Sequence, residues 1–234
     1  MFSLLHGLFV YATQKKQFNV LVLGLDGAGK TLLIESIKTI FTKTQGMGPE
    51  KITPTFGLNV ADVEVNGVKL KFWDMGGKKD FRSLWKEYFK SCHALIYVVD
   101  ASDSNIHNLE ESQKEFEMLR SEKDLDGVPL MIMANYRSFT EPPSPQTPMP
   151  TPIIAKERGT IHIAHPVIGT EREQVVFRKI FIDSLDQGAG STKDNIYFVK
   201  TISALTGGGV EDSIQVLIKY LKDHARQISD EDFI

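Results

Sequence analysis

The sequence is poor in the features that mark several classes of protein. Its 234 residues include one cysteine, Cys92, so no internal disulfide can form, which fits a reducing compartment. No apolar run approaches the roughly twenty residues that a membrane-spanning helix needs. Lys and Arg number 27 against 30 Asp and Glu, a formal net charge of −3. Without a basic excess, neither nucleic acid nor an anionic membrane surface is indicated as a partner.

Proline is scarce except in one place. Of the ten prolines, six fall within eleven residues, at Pro142, Pro143, Pro145, Pro148, Pro150 and Pro152. Such a cluster excludes helix and central strand, because each proline fixes φ and lacks an amide donor. The apolar fraction of 41% and the charged fraction of 24% are ordinary globular values. The length suits one domain with an addition or two small domains, and the prolines mark an interruption in its middle.

Hydrophobic patterning predicts strands that alternate with helices. Single strands are predicted at 18–23, 94–100, 128–134 and 197–202, and helices at 31–41, 109–119, 172–185 and 210–221. A hairpin is predicted from 58–65 and 68–73, because Asn66-Gly67 between alternating runs is a strong turn signal. Residues 161–168 could form a further short strand. The pattern predicts a three-layer α/β sandwich with a six-stranded, mostly parallel sheet that has one antiparallel strand.

The first twelve residues predict an amphipathic helix. Placed at 100° per residue, most apolar side chains fill one arc, and Ser3, His6 and Gly7 lie on the other. Two roles for this helix stay open: packing on the core alone, or packing there and also lying in a membrane interface. The predicted limits of the chain's parts are 1–15 for the helix, 16–227 for the main domain, about 136–170 for the proline-rich insertion and 228–234 for an acidic tail.

A glycine-rich motif follows the first predicted strand and opens the first predicted helix. It reads Gly24-x-x-x-x-Gly29-Lys30-Thr31, the pattern of a phosphate-binding loop. Glycines let backbone amides close around phosphate oxygens, and the helix N-terminus adds positive potential. Lys30 is expected to neutralise β- and γ-phosphate oxygens, and the Thr31 hydroxyl to ligate Mg²⁺. The expected phosphate-binding residues are Gly24, Asp26, Gly27, Ala28, Gly29, Lys30, Thr31, Thr55 and Gly77.

Two further motifs separate a GTPase from an ATPase or a nucleotide kinase. Thr55 lies 24 residues beyond Thr31, in a loop before the hairpin, where its hydroxyl can be a second Mg²⁺ ligand and sense the γ-phosphate. Asp74 directly follows the predicted strand 68–73 and can hold Mg²⁺ through water. The amide of Gly77 can then contact the γ-phosphate. The three motifs together predict a site for Mg²⁺ and a nucleoside triphosphate.

These motifs resemble those of the ADP-ribosylation factor (Arf/Arl) family of small GTPases over residues 1–135 and about 172–226. The matching segments are Gly24–Thr31, Pro54-Thr55, Asn59, Trp73–Gly77, Ser83–Trp85, Tyr88-Phe89 and Ser203-Ala204. Within the family, the Arf-related branch of the trans-Golgi is the most similar, as judged from segments 4–8, 51–59 and 92–100 and from a Phe at position 2. The resemblance implies the Ras-like P-loop NTPase fold, with GTP or GDP and Mg²⁺ bound.

The resemblance also implies how such a protein works. On GTP binding, the hairpin 58–72 slides and expels the N-terminal helix from its groove. An apolar triad of Leu58, Trp73 and Tyr88 then binds effectors. The implied partners are guanine nucleotide, an exchange factor, a GTPase activator and effectors at the switch regions. The chain is expected to be a monomer that does not bind nucleic acid.

Residue 2 decides how the chain can attach to a membrane. N-myristoylation requires Gly at this position, so Phe2 excludes the usual lipid of the family. An amphipathic helix without an acyl chain anchors only marginally, and a membrane receptor is therefore expected. The resemblance implies an acetylated N-terminal methionine, a receptor on the Golgi, and vesicle trafficking at the cytosolic face of the trans-Golgi network.

One departure from the family pattern falls at the catalytic position. Lys78 follows Gly77, where the family usually has a Gln that orients the attacking water. A lysine ammonium has donors and no acceptor, so it cannot hold the water in the same way. We therefore expect very slow intrinsic GTP hydrolysis.

A second departure concerns the recognition of guanine. The family reads Asn-Lys-x-Asp after its fifth strand, whereas this chain reads Asn-Tyr-Arg-Ser over 135–138. The missing Asp accepts two hydrogen bonds from guanine, and sites built on such pairs discriminate by about 10⁴–10⁵ when intact. Since Ser138 cannot accept that pair, guanine specificity and nucleotide affinity are expected to be reduced. The remaining expected guanine-binding residues are Asn135, Ser203, Ala204 and Leu205.

The second departure coincides with the proline-rich segment 136–170. Three explanations stay open: a lineage-specific surface insertion that displaced the motif, a retained intron or faulty gene model, and a true loss of base recognition in a pseudo-GTPase. The leading hypothesis is an Arf-like GTP/GDP switch. The alternative is a non-hydrolysing or nucleotide-independent adaptor.

Overall fold

The computed structural model describes residues 15–102, 106–137, 161–164, 171–183 and 197–228. In chain order the elements are β1 (Gln17–Leu23), α1 (Lys30–Thr42), β2 (Leu58–Val65), β3 (Val68–Met75), β4 (Ala94–Asp100), α2 (Ile106–Arg120), β5 (Leu130–Asn135), β6 (Ile161–Ala164), α3 (Glu171–Phe177), β7 (Tyr197–Ile202) and α4 (Val210–His224). A 3-10 segment, Lys79–Tyr88, follows β3, and α3 continues as a π-helical turn, Arg178–Ile182.

The strands form one sheet with the order β2-β3-β1-β4-β5-β7-β6. The neighbours β2 and β3 are antiparallel, and the remaining neighbours are parallel. Six of the strands are those predicted, which confirms the predicted α/β fold. The short strand β6 adds a seventh at the edge beside β7, within the interval 161–168 that could form a strand.

Two apolar layers cover the faces of the sheet. Along β1, Val20 and Val22 lie in one layer and Leu21 and Leu23 in the other. Helices α1 and α4 bury their apolar side chains in the first layer, and α2 and α3 in the second. Burial on both faces explains why β4 and β5 are continuous apolar runs. Each fully buried aliphatic side chain contributes roughly 1.5–3 kcal/mol.

The structure contains the predicted two-residue turn of the hairpin. Asn66 and Gly67 join β2 to β3 with φ of 50° and 76°. Positive φ at both central residues is the requirement of the two-residue turn that matches strand twist. The register then pairs Val65 with Val68 and Leu58 with Met75. This hairpin carries one of the loops that reach the functional site.

Several predicted parts fall outside the described residues. These are nearly all of the N-terminal helix 1–15, most of the segment 136–170, and all but the first residue of the tail 228–234, so the predicted limits stay predictions. The helix predicted at 172–185 is described as far as Asp183, as α3 and its π-helical turn. Each helix in the described ranges is too short or too polar to span a lipid bilayer.

Candidate functional site

The predicted phosphate loop lies between the end of β1 and the start of α1. Gly24, Gly27 and Gly29 have φ of 140°, 74° and 95°, a region that side chains rarely adopt. A Cβ at Gly24 would lie 2.2 Å from the carbonyl oxygen of Val98 in β4. The loop therefore needs glycine both for its turns and for its close approach to the neighbouring strand.

Lys30 is buried within this loop. Its ammonium donates to the carbonyl oxygens of Gly24 at 3.0 Å and Leu25 at 2.8 Å. Burial lowers the pKa of Lys30 from 10.5 to about 8, and the nearby carboxylates of Asp74 and Asp26 oppose the shift. A bound phosphate would add a negative charge that favours the ammonium form. The environment of Lys30 thus fits an anion-binding role.

Three oxygen-bearing side chains from separate segments converge beside Lys30. Thr31 Oγ1 donates to Asp74 Oδ2 over 2.7 Å and lies 3.0 Å from Thr55 Oγ1, which is 3.3 Å from the same carboxylate oxygen. Asp74 Oδ1 is buried and has no hydrogen-bond partner within the described part of the chain. Burial raises the pKa of Asp74. Hydroxyl and carboxylate oxygens with this unused acceptor fit Mg²⁺, a hard cation that prefers oxygen ligands.

A cavity of about 310 Å³ lies against these side chains. The phosphate loop forms one wall, and residues 52–55 with Gly77 form another. A Cβ at Gly77 would lie 2.5 Å from Lys30 Nζ. The segment can therefore approach the phosphate loop this closely because residue 77 is a glycine. The predicted site residues that line the cavity are Asp26, Gly27, Gly29, Lys30, Thr31, Thr55 and Gly77. Gly24 and Ala28 instead shape the loop through their backbone.

Asn135 connects the phosphate loop to the loop after β7. Its Nδ2 donates to the Ala28 carbonyl over 2.9 Å, and its Oδ1 accepts the Ala204 amide proton over 2.9 Å. Ser203 is buried, whereas Leu205 is 53% exposed. Of the four residues expected to contact guanine, Asn135 ends β5 and the other three follow β7, and the Asn135 side chain links these two segments. Their contact with a base stays a prediction.

The two residues after Asn135 enter different environments. Tyr136 is buried in the apolar layer under α2 and α3, and burial raises the pKa of its hydroxyl. Arg137 Nη2 donates to Asp100 Oδ2 over 2.7 Å, and both residues line a second cavity of about 100 Å³ beside the phosphate loop. This ion pair was not predicted, although strand ends at Asp100 and Asn135 indicate neighbouring positions. Ser138 lies outside the described residues.

The segment after β3 is fixed through the carbonyls of Gly76-Gly77. Trp85 Nε1 donates to the first over 3.0 Å, and Arg82 Nε donates to the second over 3.1 Å. The Arg82 guanidinium also pairs with Glu111 and Glu115 of α2, at 2.8 and 2.7 Å. None of these contacts was predicted, because each joins residues that are remote in sequence or carries no motif. They connect the cavity wall at Gly77 to helix α2.

Lys78 contacts an aromatic ring. Its Nζ lies 5.1 Å from the centroid of the Phe56 ring. Phe56 is 70% exposed and meets Phe81 edge-on at a centroid distance of 5.9 Å. Phe56 was not predicted as a site residue; its only sequence signal is a large apolar side chain directly after Thr55. Lys78 is absent from the cavity lining that the described residues form.

The predicted effector triad forms one cluster. The rings of Trp73 and Tyr88 meet edge-on at 5.4 Å. Leu58 and Tyr88, both partly buried, pack against the apolar layer that contains Trp73. Trp73 is only 4% exposed, so Leu58 and Tyr88 offer most of the triad's surface in this conformation. Effector binding by the triad stays a prediction.

Comparisons with known proteins agree with this geometry. The model of the ADP-ribosylation factor family matches residues 3–147. ADP-ribosylation factor-related protein 1 of Rattus norvegicus is 46% identical over 136 residues, which are 58% of this chain and 67% of the relative. ADP-ribosylation factor-like protein 3 of Saccharomyces cerevisiae is 32% identical over 223 residues, which are 95% of this chain and 94% of the relative.

A solved structure shows the same fold. The Arl6 BBS3 small GTPase from Trypanosoma brucei, with the bound nucleotide analogue GppNp, superimposes with a TM-score of 0.60. It is 24% identical, and the match covers 90% of this chain and 100% of that one. At this identity the likeness concerns the fold alone.

Proposed function

The chain belongs to the ADP-ribosylation factor family of small GTPases, and on that premise we propose that it is an Arf-like GTP/GDP switch in Golgi vesicle trafficking. Members of this family bind guanine nucleotide with magnesium. The observation that carries the proposal is the convergence of Thr31, Thr55 and Asp74 beside the buried Lys30. These side chains supply the oxygen ligands and the cation that a Mg²⁺–nucleotide needs.

Each of these groups has a task in the proposed function. The Lys30 ammonium and the loop amides would hold the phosphates, while the Thr31 and Thr55 hydroxyls would hold Mg²⁺ directly and Asp74 through water. When bound, Mg²⁺ neutralises charge on the β- and γ-phosphates. Thr55 belongs to the loop between α1 and β2, so the position of that loop depends on the γ-phosphate. Slow hydrolysis is expected because Lys78 offers no acceptor to the attacking water.

The proposed place of action is the cytoplasm and the cytosolic face of the trans-Golgi network. The support is the sequence of the first fifteen residues: an amphipathic pattern, with Phe2 where myristoylation needs Gly. Attachment then depends on this helix together with a membrane receptor. An exchange factor, a GTPase activator and effectors are the proposed partners at the switch regions. Leu58, Trp73 and Tyr88 are the proposed effector contacts.

Binding of fluorescent GDP, GTP and ATP analogues with and without Mg²⁺ tests the proposal. We expect Mg²⁺-dependent binding of GDP and GTP. The preference for these guanine nucleotides over ATP should be weaker than the preference that an intact Asn-Lys-x-Asp motif provides. Lys30→Met should abolish the binding. Tight and strongly guanine-selective binding would overturn the claim of impaired base recognition. Equal binding of ATP would show that the phosphate site acts alone.

A non-hydrolysing or nucleotide-independent adaptor is the second candidate. Two observations favour it: Tyr136 is buried in the core at the position of the family's base-packing Lys, and Lys78 contacts Phe56. The same binding assay separates the candidates, because an adaptor of the nucleotide-independent kind binds none of the three analogues. Recruitment of membrane partners would then be equal for the unaltered chain and for Lys30→Met.

A further inference from the structure

Lys78, Phe56 and Phe81 form a surface cluster that joins the two loops flanking the phosphate cavity. Phe56 directly follows Thr55, and Lys78 directly follows Gly77. The Lys78 ammonium is 5.1 Å from the Phe56 ring centroid, and the Phe81 ring meets the Phe56 ring at an interplanar angle of 81°. Phe56 is 70% exposed, and these two side chains contact its ring.

The backbone joins the same two loops. The Gly76 amide donates to the Gly57 carbonyl over 2.8 Å. A Cβ at Gly76 would lie 2.8 Å from the Thr55 carbonyl oxygen, so the loops touch along their main chains. Phe56 is the residue between these two contact points. Moving its loop away from the cavity would therefore break the backbone hydrogen bond and the ring contacts together.

The ring contacts are linked to the metal ligands through Thr55. Its hydroxyl reaches Thr31 and Asp74 only while its loop is closed on the cavity. Since Thr55 and Phe56 are adjacent, a force that holds the ring also holds the hydroxyl. When a loop contacts Mg²⁺ and the γ-phosphate, a bound triphosphate stabilises its closed conformation more than a bound diphosphate does.

We propose that Lys78 is a positioning residue: its ammonium, together with Phe81, holds the Phe56 ring and keeps Thr55 closed on the metal ligands. This inference rests on the proposed nucleotide switch and deepens it. Lys78 lacks the acceptor that positions water and instead stabilises the triphosphate-bound conformation. A cation over an exposed ring contributes modestly, equivalent to about a two- to fivefold change in an equilibrium.

The test measures release of a fluorescent non-hydrolysable GTP analogue and of fluorescent GDP from the full chain with Mg²⁺. Lys78→Met should raise the ratio of the two release rates, analogue over GDP, about two- to fivefold. Phe56→Leu should raise it at least as much, because the contact with Phe81 is lost too. Lys78→Met added to Phe56→Leu should have no further effect. Lys78→Arg should restore the ratio, and the exposed neighbour Lys79→Met should not change it.

Three results would overturn the inference. The first is an unchanged ratio in Lys78→Met, and the second is an equal acceleration of both nucleotides, which indicates a general loss of structure. The third is a full effect of Lys78→Met in the Phe56→Leu background, which would show that Lys78 does not act through the Phe56 ring. Failure of the unaltered chain to bind either nucleotide is a distinct result, which contradicts the proposed function and, with it, the proposed role of Lys78.

Discussion

Among single residues, Lys30 and Asp74 are buried ionisable groups whose charged forms a bound ligand would stabilise. Burial lowers the pKa of Lys30 and raises the pKa of Asp74, so each environment disfavours the charged form. A phosphate supplies the opposite charge to Lys30, and a divalent cation supplies it to Asp74. Both residue types were predicted from local motifs, because each motif contains the chemistry itself. Their pKa shifts come from packing and were not predictable.

Lys30 gives the site a dependence on pH. Its pKa of about 8 means that the ammonium is lost progressively above that pH in the nucleotide-free protein. Phosphate binds the charged form and raises the pKa again, so nucleotide affinity should fall as pH rises above about 8, by up to roughly tenfold per unit. Titrations of fluorescent GDP from pH 7 to 10 measure this. Lys30→Arg stays protonated throughout, and an equal slope in that variant would contradict the assignment.

Lys78 also sets the expected rate of hydrolysis. Replacing it by Gln supplies an acceptor for the attacking water, and intrinsic GTP hydrolysis should rise by roughly 10–100-fold. Single-turnover measurement of phosphate release from the GTP-loaded chain gives this rate. Lys78→Met supplies no acceptor and serves as the control. A rate for the unaltered chain that already equals the Lys78→Gln rate would show that the lysine is no obstacle.

Among the elements, some were predictable from local sequence signals, whereas others depend on tertiary contacts. The β1–loop–α1 unit and the β2–β3 hairpin were predicted because glycine turns and apolar periods lie within each unit. The 3-10 segment Lys79–Tyr88 was not predicted. Trp85 is the one buried residue of this segment. The conformation of the segment depends on the hydrogen bonds of Arg82 to Gly77 and of Trp85 to Gly76. The π-helical turn after α3 likewise accompanies stacked rings in the core, which no local pattern shows.

Arg226 connects the chain after α4 both to the loop before β4 and to the turn between α2 and β5. Its guanidinium donates to the carbonyls of Lys90, Cys92 and Asp124, each at 2.9 Å, and to that of Phe89. Arg226→Ala removes the shared donor of these carbonyls, and the free energy of unfolding should fall by about 2–3 kcal/mol. Urea denaturation of the GDP-loaded chain measures the loss.

The matched control for this prediction is Lys219→Ala. Lys219 is an exposed cation on α4, and its replacement should change the free energy of unfolding by less than about 0.5 kcal/mol. A loss of that small size in Arg226→Ala would mean that water replaces the guanidinium at these carbonyls without cost. Release of GDP should be the same in both variants, because the contacts of Arg226 within the described ranges do not include a residue of the phosphate cavity.

At the scale of the whole molecule, the fold was predictable and the role of the proline-rich segment was not. Alternating patterns determined the sheet, whereas β6 lies inside 136–170 and pairs with β7 at the edge. The match to the Saccharomyces cerevisiae relative covers 95% of the chain, so it extends on both sides of the prolines. A sequence motif cannot show that pairing, because the partner strand lies outside the segment.

The proposed attachment to the Golgi concerns the whole chain, because it depends on the first residues as well as on the nucleotide domain. Deleting residues 2–14 should release a fluorescent fusion from the Golgi into the cytosol, because the amphipathic surface that a receptor and a bilayer would share is lost. Microscopy of cells that express the two forms measures the change. Binding of GDP by the purified deletion variant should be within about threefold of the full chain. Unchanged Golgi staining would contradict the proposed anchor.

If this chain changes conformation with its nucleotide, its two tryptophans should report the change directly. Trp73 packs on Tyr88, and Trp85 donates to the carbonyl of Gly76, so both lie in segments that join the phosphate cavity. Tryptophan emission should differ between the GDP-bound and GTP-analogue-bound chain in Mg²⁺, and Thr55→Ala should diminish the difference. Superimposable spectra, with both nucleotides demonstrably bound, would contradict a nucleotide-dependent change of conformation.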